Sequence, residues 1–179
     1  MKTERTDRVP EVIGWREWVA LPEFGIVSMR AKIDTGARTS ALHATHQERF
    51  ERDGEPWVRF RVPVPGFGRT SRVEAPIVDE REVKNTSGLP ERRIIIRALL
   101  LLGRHRWHVE TSLADREKMT FDMILGRTAI RAKRILVDPR HSFLAGQPRQ
   151  LSSDRSTRVA ARQAKPRLSP RQPKQGKTP

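Results

Sequence analysis

Residues 32–40 read Lys32-Ile33-Asp34-Thr35-Gly36-Ala37-Arg38-Thr39-Ser40, and a run from Ile26 to Ile33 leads into them. From Ser28 onward that run alternates polar and apolar residues, the period of a half-buried strand. At Asp34 the chain changes character: a carboxylate, a hydroxyl, a glycine and an alanine follow without a break. A strand ending in Asp-Thr-Gly holds the carboxylate rigidly. Thr35 is suited to hydrogen-bond the turn, and Gly36, with no Cβ, lets a substrate or a second chain approach the backbone. The same three residues also make an ordinary turn. The tripeptide alone does not separate the two readings.

A second stretch does. Phe121-Asp122-Met123-Ile124-Leu125-Gly126-Arg127-Thr128-Ala129-Ile130 lies about ninety residues downstream. Asp-Thr-Gly-Ala after a strand, followed at this distance by two apolar residues, Gly-Arg and a short helix, resembles the retropepsins, the single-domain aspartic peptidases. The resemblance is closer to a bacterial retropepsin-like family commonly labelled "ATP-dependent zinc protease". Its pattern is carried by Ile13-Gly14-Trp15-Arg16-Glu17, by Ala31 through Ala44, and by Trp57-Val58-Arg59-Phe60. It continues in Val78-Asp79-Glu80-Arg81, Leu125-Gly126-Arg127-Thr128-Ala129 and Leu136-Val137-Asp138-Pro139. The ordered set covers residues 11–146. It implies an all-β fold, a small closed β-barrel with one short helix.

Composition agrees with one such domain plus extensions. Of 179 residues, 36% are hydrophobic and 32% charged, so the core is modest and the surface heavily charged. There is no cysteine, which excludes disulfides and thiolate metal sites. Residues 1–10 carry charges of both signs and no apolar run, and read as a flexible lead. The expectation is a cytoplasmic protein with no membrane segment. The charge is uneven: residues 147–179 hold nine Lys or Arg against Asp154 alone, so +8 of the net +15 lies there and +7 in residues 1–146. This Arg/Lys/Pro-rich tail cannot bury enough surface to offset the entropy of ordering, and is expected to be disordered. It reads either as an arm contacting RNA or a ribosome, or as a solvated extension.

Between lead and tail, Val12–Leu21 and Ile26–Ile33 read as a hairpin across Pro22-Glu23-Phe24-Gly25. Ala41–Phe50 fits helix or strand by propensity, and the resemblance favours a strand. Trp57–Val62 and Arg72–Glu82 read as strands. Ile94–Leu102 and His105–Leu113 read as a hairpin about Gly103-Arg104. Met119–Leu125 is the next strand, Arg127–Lys133 a short helix and Arg134–Val137 a last strand. That is about eight strands and one helix, the pattern of a small barrel.

Peptide hydrolysis by carboxylates needs two of them, one ionised to take a proton from water and one protonated to polarise the carbonyl. Two carboxylates about 3 Å apart share a proton. This chain has one Asp-Thr-Gly, so such chemistry requires a homodimer with one Asp34 from each subunit. The resemblance implies the same, with Asp34 catalytic, Thr35 locking the two loops across the twofold axis, and Gly36 and Ala37 forming the floor under a peptide substrate. Arg38 and Thr39 would line the substrate site. The loop Val83–Arg92, with its tip at Thr86-Ser87-Gly88, is the candidate flap, placing Ser87 and Gly88 over the substrate. Gly126, Arg127 and Thr128 would support the loop. Retroviral members carry an acid where Arg38 stands, paired with the arginine of Gly-Arg. Arg127 must therefore find another partner, and Glu74, Asp79, Glu80, Asp122 and Asp138 are the acids available.

The family label is not matched by the residues it names. There is no His-Glu-x-x-His. His43 and His46, and His105 and His108, are three apart, which on a strand places them on opposite faces. No phosphate-binding Gly-x-x-x-x-Gly-Lys-Ser/Thr loop exists either. The sequence therefore implies neither a metal nor a cofactor. Members of this family are associated with ligases that add glutamates to ribosomal protein tails, so a glutamate-rich peptide is the implied substrate, and a core of +7 with Arg38 beside the site suits it. Two further readings stand: a non-catalytic module docking on RNA or a ribosome through its basic tail, and a zinc-dependent protease.

Overall fold

The computed structural model describes residues 10–66, 68–84, 88–131 and 133–149. The tail beyond 149, most of the lead and the tip residues Asn85, Thr86 and Ser87 lie outside the described residues. The strands are β1 (Glu11–Gly14), β2 (Arg16–Leu21), β3 (Ile26–Asp34), β4 (Ser40–His43), β5 (Thr45–Arg52) and β6 (Glu55–Val64). They continue with β7 (Arg69–Lys84), β8 (Pro90–Leu102), β9 (His105–Ala114), β10 (Met123–Gly126) and β11 (Ile135–Asp138), with one helix, α1 (Arg127–Arg131), after β10.

Six strands close into a barrel in the order β2-β3-β10-β4-β9-β8. Closure is made where Val19 and Ala20 of β2 meet Leu102 and Leu101 of β8. β8 is long enough to serve two neighbours: its first half pairs with β7, its last residues with β2. β7, β6 and β5 extend the sheet outward from β8 as antiparallel neighbours. Within the barrel two pairings are parallel, β3 with β10 and β4 with β9, so the chain crosses over at both places. The interior is apolar: Met29, Leu42, Phe60, Ile96, Leu100, Leu113 and Met123 are fully buried. Phe24, in the turn between β2 and β3, meets Phe60 edge-on at 5.8 Å, a preferred aromatic geometry.

The expected Val12–Leu21 strand is two strands. The backbone of Trp15 is diverted, its N–H donating to the His141 carbonyl and its carbonyl accepting from Ile33 N–H at 2.8 Å. β1 pairs in parallel with β11, while β2 pairs with β3. A Cβ on Gly14 would sit 2.4 Å from the His141 carbonyl oxygen, so the crossing at this break admits only glycine. Ala41–Phe50 likewise divides: its β-conformation is as expected, but the ladder with β9 ends with the bond of the Ala44 N–H to the Ala114 carbonyl, and from Thr45 the chain pairs with β6 instead. The strand expected over Met119–Leu125 begins only at Met123. Residues 117–118 form a turn, closed by the Met119 N–H on the Arg116 carbonyl, and residues 119–122 are bent and irregular.

One buried charge organises this side of the barrel. Glu17 is fully buried, and its carboxylate accepts three backbone N–H bonds, from Gly14 at 2.6 Å, Leu144 at 2.9 Å and Ala145 at 3.2 Å. It ties the β1–β2 break to the segment after β11. Phe143 stacks on Trp18 at 5.2 Å in the same region. The chain continues to bond to the domain past residue 146: Ser28 donates to Gln147 and Arg149 N–H to the Gly103 carbonyl. Among the described residues no helix is long and apolar enough to cross a membrane.

Candidate active site

Asp34 is the last residue of β3, half-buried, with the exposed Thr35 and Gly36 beyond it. Its Oδ1 accepts the backbone N–H groups of Gly36 and Ala37, both at 3.1 Å. The carboxylate is thereby fixed to its own loop. A Cβ on Gly36 would lie 3.3 Å from that same oxygen, which is why a glycine suits the turn.

The Asp34 loop is clamped from the distant stretch. β10 runs parallel to β3 in a register that sets Leu125 against Ile33 and Gly126 against Asp34. From there each residue takes hold of the loop in turn. Gly126 N–H donates to Ser40 Oγ at 3.2 Å. Arg127 N–H donates to the Ala37 carbonyl at 2.9 Å, and Thr128 Oγ1 to the Arg38 carbonyl at 2.8 Å. Ser40 is fully buried, and its carbonyl accepts the Ser112 hydroxyl. The backbone of Thr39 passes so close to Gly126 that a Cβ there would lie 2.6 Å from its carbonyl carbon.

The partner of Arg127 is a correction. It engages none of the acids expected for it: its Nη1 donates to the Gly36 carbonyl at 2.9 Å and reaches the Thr35 carbonyl at 3.5 Å. Those acids have other partners, Glu74 with Arg52 and Arg59, Asp79 with Arg81, Glu80 with Arg49 and Arg92, and Asp138 with His141. Asp122 acts electrostatically on Arg116. With an arginine at position 38, a guanidinium that binds carbonyls replaces the acid–arginine bridge. The charge of Arg38 stays free of any ion pair among the described residues, and the side chain is exposed. Thr39 is half-buried beside Gly126; Gly88, at φ 77°, lies in the loop leading into β8, and Ser87 lies outside the described residues.

Arg116 was not visible as a site residue. It follows β9 and is half-buried, its Nε donating to the Phe121 carbonyl at 3.1 Å and its N–H to His43 Nδ1 at 2.8 Å. Burial holds its guanidinium below the usual arginine range, and Arg93 adds to this, while Asp122 and Asp34 draw it back. Arg93, 12% exposed, is bonded to Glu91 at 2.8 Å. An arginine thus stands in the electrostatic neighbourhood of Asp34, with a second behind it. Nothing in the sequence around Arg116 sets it apart from the many other arginines.

The histidines serve separate structural ends: His43 takes the Arg116 N–H, His46 its neighbour Thr45, His105 the Glu11 carboxylate and His108 lies 3.6 Å from Glu23. Among the described residues no three His, Asp or Glu side chains converge as metal ligands.

A closed barrel in which Gly-Arg, at the end of one strand and the start of the helix after it, clamps an Asp-Thr-Gly loop at the end of another strand is the retropepsin arrangement. Residues 12–148 match the family model described as RimB-like, the retropepsin-like aspartic endopeptidase RimB, and the chain belongs to that family. It is similar to a protein of Shewanella halifaxensis named probable alpha-L-glutamate ligase, 41% identical over 138 residues, which are 76% of this chain and 30% of that one. A protein of the same name from Parasynechococcus marenigrum is 40% identical over 141 residues, again 30% of its length. The chain thus matches under a third of these relatives. A crystal structure of a Legionella pneumophila protein of unknown function shares the fold, with a TM-score of 0.66 at 26% identity over 76% of this chain and 99% of that one.

Proposed function

We propose that the chain is an aspartic endopeptidase that works as a homodimer and cleaves glutamate-rich peptide tails. The observation that carries this reading is Asp34: one half-buried carboxylate on a loop clamped from two sides, its Oδ1 tied down by Gly36 and Ala37. The second carboxylate must come from a second copy, and a twofold site brings a residue onto itself. One surface favours such a partner. Val12 and Leu136 sit opposite one another in β1 and β11 and are 46% and 55% exposed. The Trp15 carbonyl, one residue past β1, holds the Ile33 N–H immediately before Asp34, so this two-stranded sheet adjoins the catalytic strand.

In the paired site one Asp34 carboxylate takes a proton from water as the water oxygen attacks the peptide carbonyl carbon. The protonated partner hydrogen-bonds the carbonyl oxygen as its charge grows. Collapse of the tetrahedral intermediate breaks the C–N bond, and the amine leaves with a proton from the pair. Acidic substrates suit the arginines near the loop, Arg38 and Arg116. The relatives point the same way, since a chain named as a glutamate ligase contains a segment like this domain.

The test is hydrolysis of glutamate-extended peptides by purified wild type and Asp34→Asn, with oligomeric state measured by sedimentation. Wild type is expected to sediment as a dimer and to cleave. Asp34→Asn is expected to keep fold and dimer and to lose cleavage. Cleavage by the variant, or by a strict monomer, would sink the reading.

A further inference from the structure

Against Arg38 and Thr39 of the Asp34 loop lies a cavity of about 470 Å³, lined also by Arg81, Arg97, Trp107, Glu110 and Thr128. The loop after β3 and parts of β7, β8, β9 and α1 build it. Arg38 is held in place through its own carbonyl, which accepts the Thr128 hydroxyl at 2.8 Å. Arg97 and Glu110 face each other in the β8–β9 ladder. β9 is left open here on its other side, because β4 pairs only with Thr111–Ala114.

Charge is not balanced inside it. The Glu110 carboxylate is taken by Arg81 at 2.9 Å, and Arg81 also holds Asp79. Arg97, although opposite Glu110, therefore has no carboxylate, and neither has Arg38, among the described residues. Two guanidiniums without a carboxylate, both on exposed side chains, around one cavity describe a site for a carboxylate, which arginine binds in charge-assisted, often bidentate fashion.

We propose that this cavity is a substrate subsite that holds an acidic side chain of the peptide, with Arg38 and Arg97 on its carboxylate, a few residues along the chain from the bond at Asp34. The proposal rests on the peptidase reading above for the source of the carboxylate. Arg97 becomes a specificity-determining residue on a strand that contributes nothing to the catalytic loop.

Binding separates this claim from catalysis. Asp34→Asn serves as the parent, and calorimetry measures its affinity for a glutamate-rich peptide and for the glutamine analogue. Adding Arg97→Gln is expected to weaken the glutamate peptide roughly tenfold or more, the loss of one charge-assisted contact, and to leave the glutamine peptide unchanged. Arg30→Gln, which removes the same charge from an exposed position on β3, is expected to do neither. Equal effects of Arg97→Gln and Arg30→Gln would mean a general charge effect and overturn the subsite. So would free glutamate binding as tightly as the peptide, since the cavity would then be a small-anion site independent of the cleft. If binding depends on Arg97 but wild type hydrolyses nothing, the cavity stands as a peptide site and the peptidase reading fails.

Discussion

Replacing Gly126 by alanine adds one methyl group where the chain has no room for it. The new Cβ would lie 2.6 Å from the Thr39 carbonyl carbon, 2.8 Å from its oxygen and 2.8 Å from the Arg38 oxygen. All three are backbone atoms, so no side chain can swing aside. Ordinary carbon contacts need about 3.5–4.0 Å, so residues 38 and 39 must move by about 1 Å. Those residues are held from the same side by Thr128, and the loop before them by Arg127. Overpacking of this kind costs about 1–3 kcal/mol, and loss of the buried Gly126–Ser40 bond adds roughly 1 kcal/mol. The expected destabilisation is about 2–4 kcal/mol, read as a lower denaturation midpoint at unchanged slope. A shift of about 1 Å in a catalytic loop also costs on the order of 100-fold in rate. Gly25→Ala is the control. Its backbone is left-handed at φ 71° but nothing lies within 4 Å of the new Cβ, so it should cost only about 1–2 kcal/mol and leave hydrolysis unchanged. Wild-type stability and hydrolysis in Gly126→Ala would refute the clamp as the device that positions Asp34.

Glu17→Ala removes the acceptor of three backbone N–H groups from a fully buried site; a loss of roughly 3–5 kcal/mol is expected, with hydrogen exchange of Leu144 and Ala145 rising first. Glu74, Glu80 and Asp138 are held below the usual carboxylate range, Glu74 by Arg59 and then Arg52, Glu80 by Arg49, and Asp138 by the Arg140 N–H and then His141. A carboxylate lowered on folding stabilises above its unfolded value and loses that contribution as pH falls through the folded one. Stability measured by urea denaturation is therefore expected to drop on acidification below about pH 4, and less steeply in Asp138→Asn. Removing residues 150–179 is expected to leave the unfolding midpoint in place and to weaken RNA or ribosome binding, with a shallower salt dependence, because most of the +8 of the tail goes with them; an unfolding midpoint lowered by the truncation would contradict the reading of this segment as a tail.

The barrel was legible because its signals are local or linear. Period-two alternation before Asp34 and the apolar run before Gly103, broken only by Arg97, each specify a strand without outside help. Gly126 could be paired with Asp34 from the order of motifs. The breaks at Trp15 and Ala44 were not legible. Each arises because a backbone N–H bonds to a segment far away in the chain, which no propensity encodes. The late start of the expected strand, at Met123, comes instead from the turn before it, where the Met119 N–H bonds to the Arg116 carbonyl and holds the chain out of the sheet until Met123 meets Leu42 and Ala31. That residues 126–128 meet the loop after Asp34 was readable from the order of motifs. Arg127 was sought among carboxylates because charge suggests charge, yet it binds carbonyls. Arg116 gains its place from burial and from where β9 ends, and an arginine in a chain rich in them carries no mark of either.

The clamp also sets an order in time. Asp34 leaves the ribosome long before the residues that hold its loop, since Gly126, Arg127 and Thr128 come some ninety positions later. Parallel pairing of β3 with β10 is a contact of high sequence separation, the kind that forms late because the intervening chain must be organised first. A nascent chain can build the β5–β6–β7 meander while Asp34 still sits on an unsupported turn. Under the peptidase reading, a cutting centre held from both ends of its domain stays unassembled until residues 126–128 have joined the sheet.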